Sequence, residues 1–372
     1  YLDNAATTAP RPEVIAEIVR SLETDFGNPS STHSFGRQSK TAVELARKSV
    51  AKLLNCSANE IIFTAGATEA NNLVLRGAVR NLGVKRIITS KIEHHAVLHT
   101  VEALQKETGI IVDYVKVKST GEPDLTHLSE LLSVEIPTMV SLMHVNNEVG
   151  TVIDIDSIGR ICRQYSALFH SDTVQSVGKF EIDLQSLPVD FIVASAHKFH
   201  GPKGVGFAFI RKGNHVKPML YGGEQEKGLR AGTESVHNIV GMQKALELSL
   251  ANLQKERAYI TDLRNYTIDQ IQTHFPGTKV NGSQECGFYN LVNVCLPMSE
   301  EKSALILFNL DLSGIAVSRG SACQSGSNKA SHVLSEMLIP EDLKKPSLRI
   351  SFSHENTKEE IDFLIGVLSK IN

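Results

Sequence analysis

The sequence predicts an α/β protein: a doubly wound, mostly parallel sheet with helices on both faces, followed by a smaller α+β domain. Three observations lead there. Short apolar runs alternate with helical stretches from residue 61 to residue 210. Polar residues repeatedly stand just after those runs, at the strand ends where open α/β sheets bind ligands. Beyond residue 250 the alternation gives way to separate short strands and helices.

The 372 residues suffice for a large and a small domain. A formal net charge of -3 without a basic block argues against nucleic acid and against an anionic membrane. No apolar run approaches the roughly 20 residues of a membrane span. The chain opens at Tyr1 rather than Met and shows no signal-peptide pattern. Its five cysteines, Cys56, Cys162, Cys286, Cys295 and Cys323, are odd in number and lack C-x-x-C spacing. That usage predicts a reducing, cytoplasmic setting.

Residues 1–10 read as an arm or edge segment. Val14, Ile15, Ile18, Val19 and Leu22 share one face of a helix, and Val43, Ala46, Val50, Leu53 and Leu54 mark a second. Residues 61–64 form a strand that runs straight into Ala65-Gly66-Ala67-Thr68. Strand, small-residue turn and helix start together offer backbone N–H groups to a phosphate; an ordinary turn capped by Thr68 has the same pattern. No Walker lysine or G-x-G-x-x-G points to a nucleotide. Strands follow at 86–90, 111–117, 138–143, 167–171, 190–195 and 205–210. His95 and His99 have helical spacing for a metal but no third ligand. His94, just after a strand, offers a flat ring for stacking. Asn147 and Asp172 likewise follow buried runs. Residues 222–233 form a glycine-rich polar loop, and 241–275 read as one long helix bridging to the second domain. There, strands are expected at 291–296, 315–317 and 348–352, and helices at 303–309 and 358–370.

Lys198 closes a buried strand in Ser195-Ala196-His197-Lys198, ahead of a glycine- and proline-rich turn. A lysine there either points to water or is desolvated into a nucleophilic amine. Asp172 favours the second reading. A strand-end lysine and a strand-end aspartate are the pair that pyridoxal 5'-phosphate requires. The lysine forms the Schiff base, and the aspartate keeps the pyridine nitrogen protonated so that the ring accepts electrons. Ala67-Thr68 would cradle the phosphate, and His94 would cover the ring.

These segments resemble the class V aminotransferase-like family, and within it the cysteine desulfurases of the class I type. The resemblance is carried by YLDNAATT (1–8), TAGATEANN (64–72), EHHAVL (93–98), MHVNNEVGT (143–151) and HSDTVQSVGK (170–179). It continues through SAHKFHGPKGVG (195–206), RAGTES (230–235), GSACQSGS (320–327) and LRIS (348–351). It spans nearly the whole chain in the family's order. It implies fold type I, with a seven-stranded sheet and pyridoxal phosphate as cofactor. It also implies a large domain at 13–250, and a small domain of 1–12 plus 251–372 that carries the Cys323 loop.

The resemblance also implies roles. Lys198 would carry the cofactor and move the substrate's α-proton. Asp172 would pair with the pyridine nitrogen, Gln175 with the phenolate oxygen, and His94 would stack and assist proton transfer. Ala67, Thr68, Ser195 and His197 would hold the phosphate, joined by Thr233 from the other subunit of a homodimer. Asn147, also near the cofactor, and Arg349 would receive the carboxylate of L-cysteine; a guanidinium can bind both oxygens. Cys323, in a stretch without large apolar residues, would be the nucleophile. Its thiolate would take the substrate sulfur as a persulfide, release alanine, and pass the sulfur to an acceptor protein for iron–sulfur cluster or thio-cofactor assembly. No resident metal is implied, only a transient contact of Cys323 with a cluster. One departure stands out: after LRIS the family usually continues with Gly-Arg, whereas here Phe352-Ser353-His354 follow. Alternatives that share the pattern are a selenocysteine lyase, a small-amino-acid aminotransferase and a scaffold without activity.

Overall fold

A computed structural model describes residues 1–284, 287–319 and 331–371. Ten strands are found among them: β1 Ile61–Thr64, β2 Arg86–Thr89, β3 Ile111–Tyr114, β4 Thr138–Ser141, β5 Leu168–Asp172, β6 Phe191–Ser195, β7 Gly206–Ile210, β8 Lys279–Asn281, β9 Leu291–Cys295 and β10 Ser347–Ser351. The first seven form one sheet in the order β1-β7-β6-β5-β4-β2-β3. All its pairings are parallel except those of β7, which runs antiparallel to both neighbours. The expected seven-stranded, mostly parallel sheet is therefore present. Its strands are buried on both faces and alternate sides by pleat. Ile61 and Phe63 enter one apolar cluster while Ile62 enters the other.

Two of the helices that cover these faces precede the sheet, α1 Pro12–Thr24 and α2 Ser34–Leu53; the others lie between or after its strands: α3 Ala67–Asn81, α4 His95–Thr108, α5 Leu125–Leu132, α6 Ile155–Gln164 and α7 Val236–Ala251. Val14, Val50, Ile158 and Leu246 lie in the cluster on one face, and Val74, Ala78, Val97 and Val101 in that on the other. The apolar stripe expected of α1 is only partly inside. Val14 is buried, but Ile15, Val19 and Leu22 are 50, 48 and 53% exposed.

The expected helix over 241–275 is two helices. Asn252 ends α7 and starts α8 Leu253–His274. Ile260, Leu263 and Ile271 of α8 pack in a third cluster with the antiparallel sheet β10-β9-β8 and with α12 Lys358–Ile371. α9 Glu300–Leu312, α10 His332–Met337 and α11 Pro340–Leu343 complete the chain. The strand expected at 315–317 is absent. The Ala316 carbonyl instead accepts from Leu2 N at 2.9 Å, and pairing with β10 is confined to Ser318 and Arg349. The N-terminal arm thus lies against this second sheet, with Leu2 and Ala5 inside its cluster.

The residues that replace the family's Gly-Arg are integrated here. Phe352 is buried in the third cluster. His354 meets His200 edge to face, with ring centroids 4.9 Å apart, and its Nε2 lies 3.4 Å from Arg11 Nη1. β10, which carries Arg349, keeps its full register with β9.

Candidate active site

The C-terminal ends of β1, β2, β4, β5 and β6 open into one cavity of about 560 Å³. It is lined by ten of the residues singled out above: Ala67, Thr68, His94, Asn147, Asp172, Gln175, Ser195, His197, Lys198 and Arg349. Arg349 comes from the second sheet. Thr233 does not line it; it borders a separate hollow of about 150 Å³ with Thr64, Glu226 and Arg230. Cys323 lies outside the described residues.

At one end of the cavity stands the start of α3. Gly66 precedes it with φ 150°, a conformation open to glycine, and no side chain caps the helix. The first N–H groups, at Ala67 and Thr68, therefore keep the donor capacity of a bare helix N-terminus, reinforced by the helix dipole. Ser195 borders this turn: a Cβ on Gly66 would lie 3.5 Å from its Oγ. His197 Nδ1 lies 3.1 Å from Thr7 Oγ1. Burial, aided by the charge of Lys198, lowers its pKa to about 4, so the ring is neutral. Lys203 and Gly204 complete this end.

At the other end, Asp172 is held on both oxygens. Asn71 Nδ2 donates to Oδ2 at 2.8 Å, and Val174 N donates to Oδ1 at 3.1 Å. His94 caps α4: its Nδ1 accepts from Ala96 N at 3.1 Å, which leaves the proton of the neutral ring on Nε2. Burial lowers its pKa, and Asp172 opposes that shift. A neutral flat ring suits stacking.

Lys198 Nζ donates to the carbonyls of Ala5 and Ala6 at 2.8 and 2.7 Å. The N-terminal arm thus holds the amine at the cavity wall. Gln175 Nε2 also donates to Ala5 O, at 2.9 Å, and its Oε1 is buried without a partner among the described residues. To donate into the cavity, this amide must turn. Arg349 is 1% exposed. Its Nη1 donates to Asn147 O at 2.8 Å and its Nη2 to Asp3 Oδ1 at 2.7 Å, while Nε is buried without a partner among the described residues. Asp3 is the arm's second contribution to the site.

Asn71, Lys203, Asp3 and the Ala5–Ala6 carbonyls were not picked out in the sequence. Asn71 did carry a signal: it is an amide on the buried face of α3, beside Ala70 and Val74. Lys203 is the second lysine of SAHKFHGPKG. Asp3 gave none, because its partner is 346 positions away. His95 and His99 stack on each other at 4.8 Å, and the ring of His332 lies 4.4 Å from His95. Among the described residues no group of three or more His, Cys, Asp or Glu is arranged to hold a metal.

The site is therefore a cleft at strand ends with an anion cradle, a carboxylate, an amine and a buried guanidinium. Comparison with known proteins agrees. The aminotransferase class-V family profile matches residues 1–364, and the chain belongs to that family. A cysteine desulfurase IscS of Dictyoglomus turgidum is 42% identical over 373 residues, covering 100% of this chain and 94% of the relative. A solved NifS-like protein superposes with a TM-score of 0.91 at 35% identity, covering 100% of this chain and 98% of the other. A structure of SspA in complex with cysteine gives a TM-score of 0.82 at 31% identity, covering 96% of this chain and 99% of the other.

Proposed function

We infer that this chain is a cysteine desulfurase that uses pyridoxal 5'-phosphate, converting L-cysteine to L-alanine and leaving the sulfur on Cys323. The observation that carries the cofactor assignment is the convergence of Lys198, Asp172 and the uncapped start of α3 in one cavity. The residues fit the group. Ala67, Thr68, Ser195 and His197 would hold the phosphate. Asp172 would face the pyridine nitrogen, Gln175 the phenolate oxygen after its amide turns, and His94 the ring. When bound, pyridoxal phosphate supplies an electron sink for the charge left on the substrate's α-carbon.

The chain's own groups do the rest. Arg349 Nε, together with the Asn147 side chain, would take the substrate carboxylate, with Asp3 and the Asn147 carbonyl fixing the guanidinium plane. Lys198, once free of the Ala5 and Ala6 carbonyls, would take the α-proton and return it. His94 Nε2–H is the second proton carrier. The Cys323 thiolate would attack the substrate sulfur. The electrons of the broken C–S bond stay with carbon, which gains a proton and leaves as alanine. An acceptor protein then takes the persulfide sulfur for iron–sulfur cluster or thio-cofactor assembly.

A homodimer completes this reading. Thr233 lies outside its own chain's cavity, as expected of a residue that serves a partner's phosphate site. The exposed Ile15, Val19, Leu22, Phe26 and Phe35 form the kind of apolar surface that a second copy would cover. Residues 13–250 and 251–372, the latter with the arm 1–12, would be the two domains, a division supported by the two separate sheets, β1 to β7 and β8 to β10. A cytoplasmic setting accords with the free thiols of Cys56, Cys162 and Cys295. Among the described residues no helix is long and apolar enough to cross a membrane.

The test is spectroscopic and chemical. Purified protein should absorb near ~420 nm, and Lys198→Ala should lose that band. Cys323→Ala should keep the band and lose alanine formation from cysteine. A protein that cannot take up pyridoxal phosphate would overturn the assignment, and an active Cys323→Ala would point to an aminotransferase.

A further inference from the structure

Two loops carry site residues beside buried acids. Glu93 precedes His94, and Glu148 follows Asn147. Neither acid lines the cavity, yet Glu93 is 1% exposed and Glu148 0%. Both loops are gripped by the same element, α10, whose N-cap Ser331 stands eight positions after Cys323 in the sequence.

The grip has three parts. Ser331 Oγ donates to Glu148 Oε2 at 2.5 Å and accepts from Leu334 N at 3.1 Å, so one hydroxyl caps α10 and ties it to the Asn147 loop. His332 Nε2 lies 2.9 Å from Glu93 O. A carbonyl can only accept, so this nitrogen carries the proton. The His332 ring also lies tilted against that of His95, the residue after His94, with centroids 4.4 Å apart. Beneath these, Val333, Leu334 and Met337 pack with Ile92 and Val149, the outer neighbours of the two acids. Glu148 is set by its own loop as well: its N–H donates to Asn146 Oδ1 and its carbonyl accepts from Asn293 Nδ2.

We propose that Ser331 and Glu148 are positioning residues for sulfur transfer: with His332, they tie the chain that follows Cys323 to the two loops that present His94 and Asn147. This rests on the desulfurase reading above. The tie fixes Ser331, eight positions after Cys323, relative to the loops that present His94 and Asn147 to the substrate. An error of about 1 Å in such placement costs about a hundredfold in rate.

Three substitutions separate this role from plain helix capping. Ser331→Thr keeps both the cap and the donor. Ser331→Asp keeps a good N-cap acceptor but sets a second acid against Glu148. Ser331→Ala loses both. The readouts are kcat and KM for alanine release, pyridoxal phosphate content, and the rate at which iodoacetamide alkylates Cys323 in the resting enzyme, followed by mass of its peptide. Ser331→Asp should lower kcat by about ten- to a hundredfold, the worth of one buried hydrogen bond to a carboxyl group. KM and cofactor content should hold within about twofold, the margin of uniform binding, and Cys323 alkylation should speed up severalfold. Ser331→Thr should match the wild type in every readout. The proposal is overturned if Ser331→Asp matches the wild type in kcat and alkylation, or if only Ser331→Ala is impaired, which would leave a cap alone. It is also overturned if Ser331→Thr falls as far as Ser331→Asp. Wild-type protein that forms no alanine from cysteine would instead sink the desulfurase reading, and this proposal with it.

Discussion

Lys179→Met should stabilise this protein at neutral pH and progressively less as pH rises. Lys179 is 6% exposed, and among the described residues its Nζ has no hydrogen-bond partner. The Phe288 ring offers it a cation–π contact, with the centroid 5.5 Å away. Burial, aided by the charge of Lys198, lowers its pKa from 10.5 to about 7. Between those values the unfolded chain binds a proton that the folded chain does not, so stability rises with pH across that window. Below pH 7 the full penalty applies; above the unfolded value of 10.5 it vanishes. A shift of that size corresponds to about 5 kcal/mol. Methionine fills similar volume without the charge, at a packing cost under about 1.5 kcal/mol. Urea unfolding of the cofactor-loaded enzyme should therefore show Lys179→Met more stable by several kcal/mol at pH 6 and indistinguishable near pH 10. A variant less stable at pH 6, or a gain that does not change with pH, would refute the reasoning.

Two further outcomes are expected. Arg349→Lys cannot reproduce a guanidinium held at once by Asp3 and the Asn147 carbonyl; KM for cysteine should rise by about a hundredfold with the cofactor spectrum unchanged. Glu226→Ala strips the buried partner of Arg47, which it meets at 2.7 and 2.8 Å. It should cost about 3–5 kcal/mol in urea unfolding. Because Glu226 anchors the 222–233 loop at a left-handed φ of 47°, cofactor dissociation should also quicken if Thr233 serves a partner's site.

Much of the site was legible because its residues are local to strand ends. Asp172 ends β5, and His94, Asn147 and Lys198 lie just beyond β2, β4 and β6. Polarity after an apolar run is a signal within a few residues of sequence. What escaped was set by distance. Asp3 meets Arg349, and Ala5 meets both Gln175 and Lys198, through pairings that only the folded arm creates. The 315–317 run had strand composition, but the N-terminal arm takes its hydrogen-bonding edge. β8, only three residues long and mostly polar, gave no periodicity to read. The break at Asn252 was hidden because both flanking helices are good helix formers, and only the change of core partner separates them. The α1 stripe teaches a different lesson. Periodicity identified an apolar face, but not what covers it, and in the single chain most of that face meets water.

The central claim is that sulfur passes from cysteine to Cys323. Mass spectrometry of the enzyme after a single turnover tests it most directly. The account predicts a gain of about 32 Da on the Cys323 peptide, matched by an equal amount of alanine and absent from the peptides of the other four cysteines. Alanine formed without that mass on Cys323, or formed unchanged by Cys323→Ala, would contradict it.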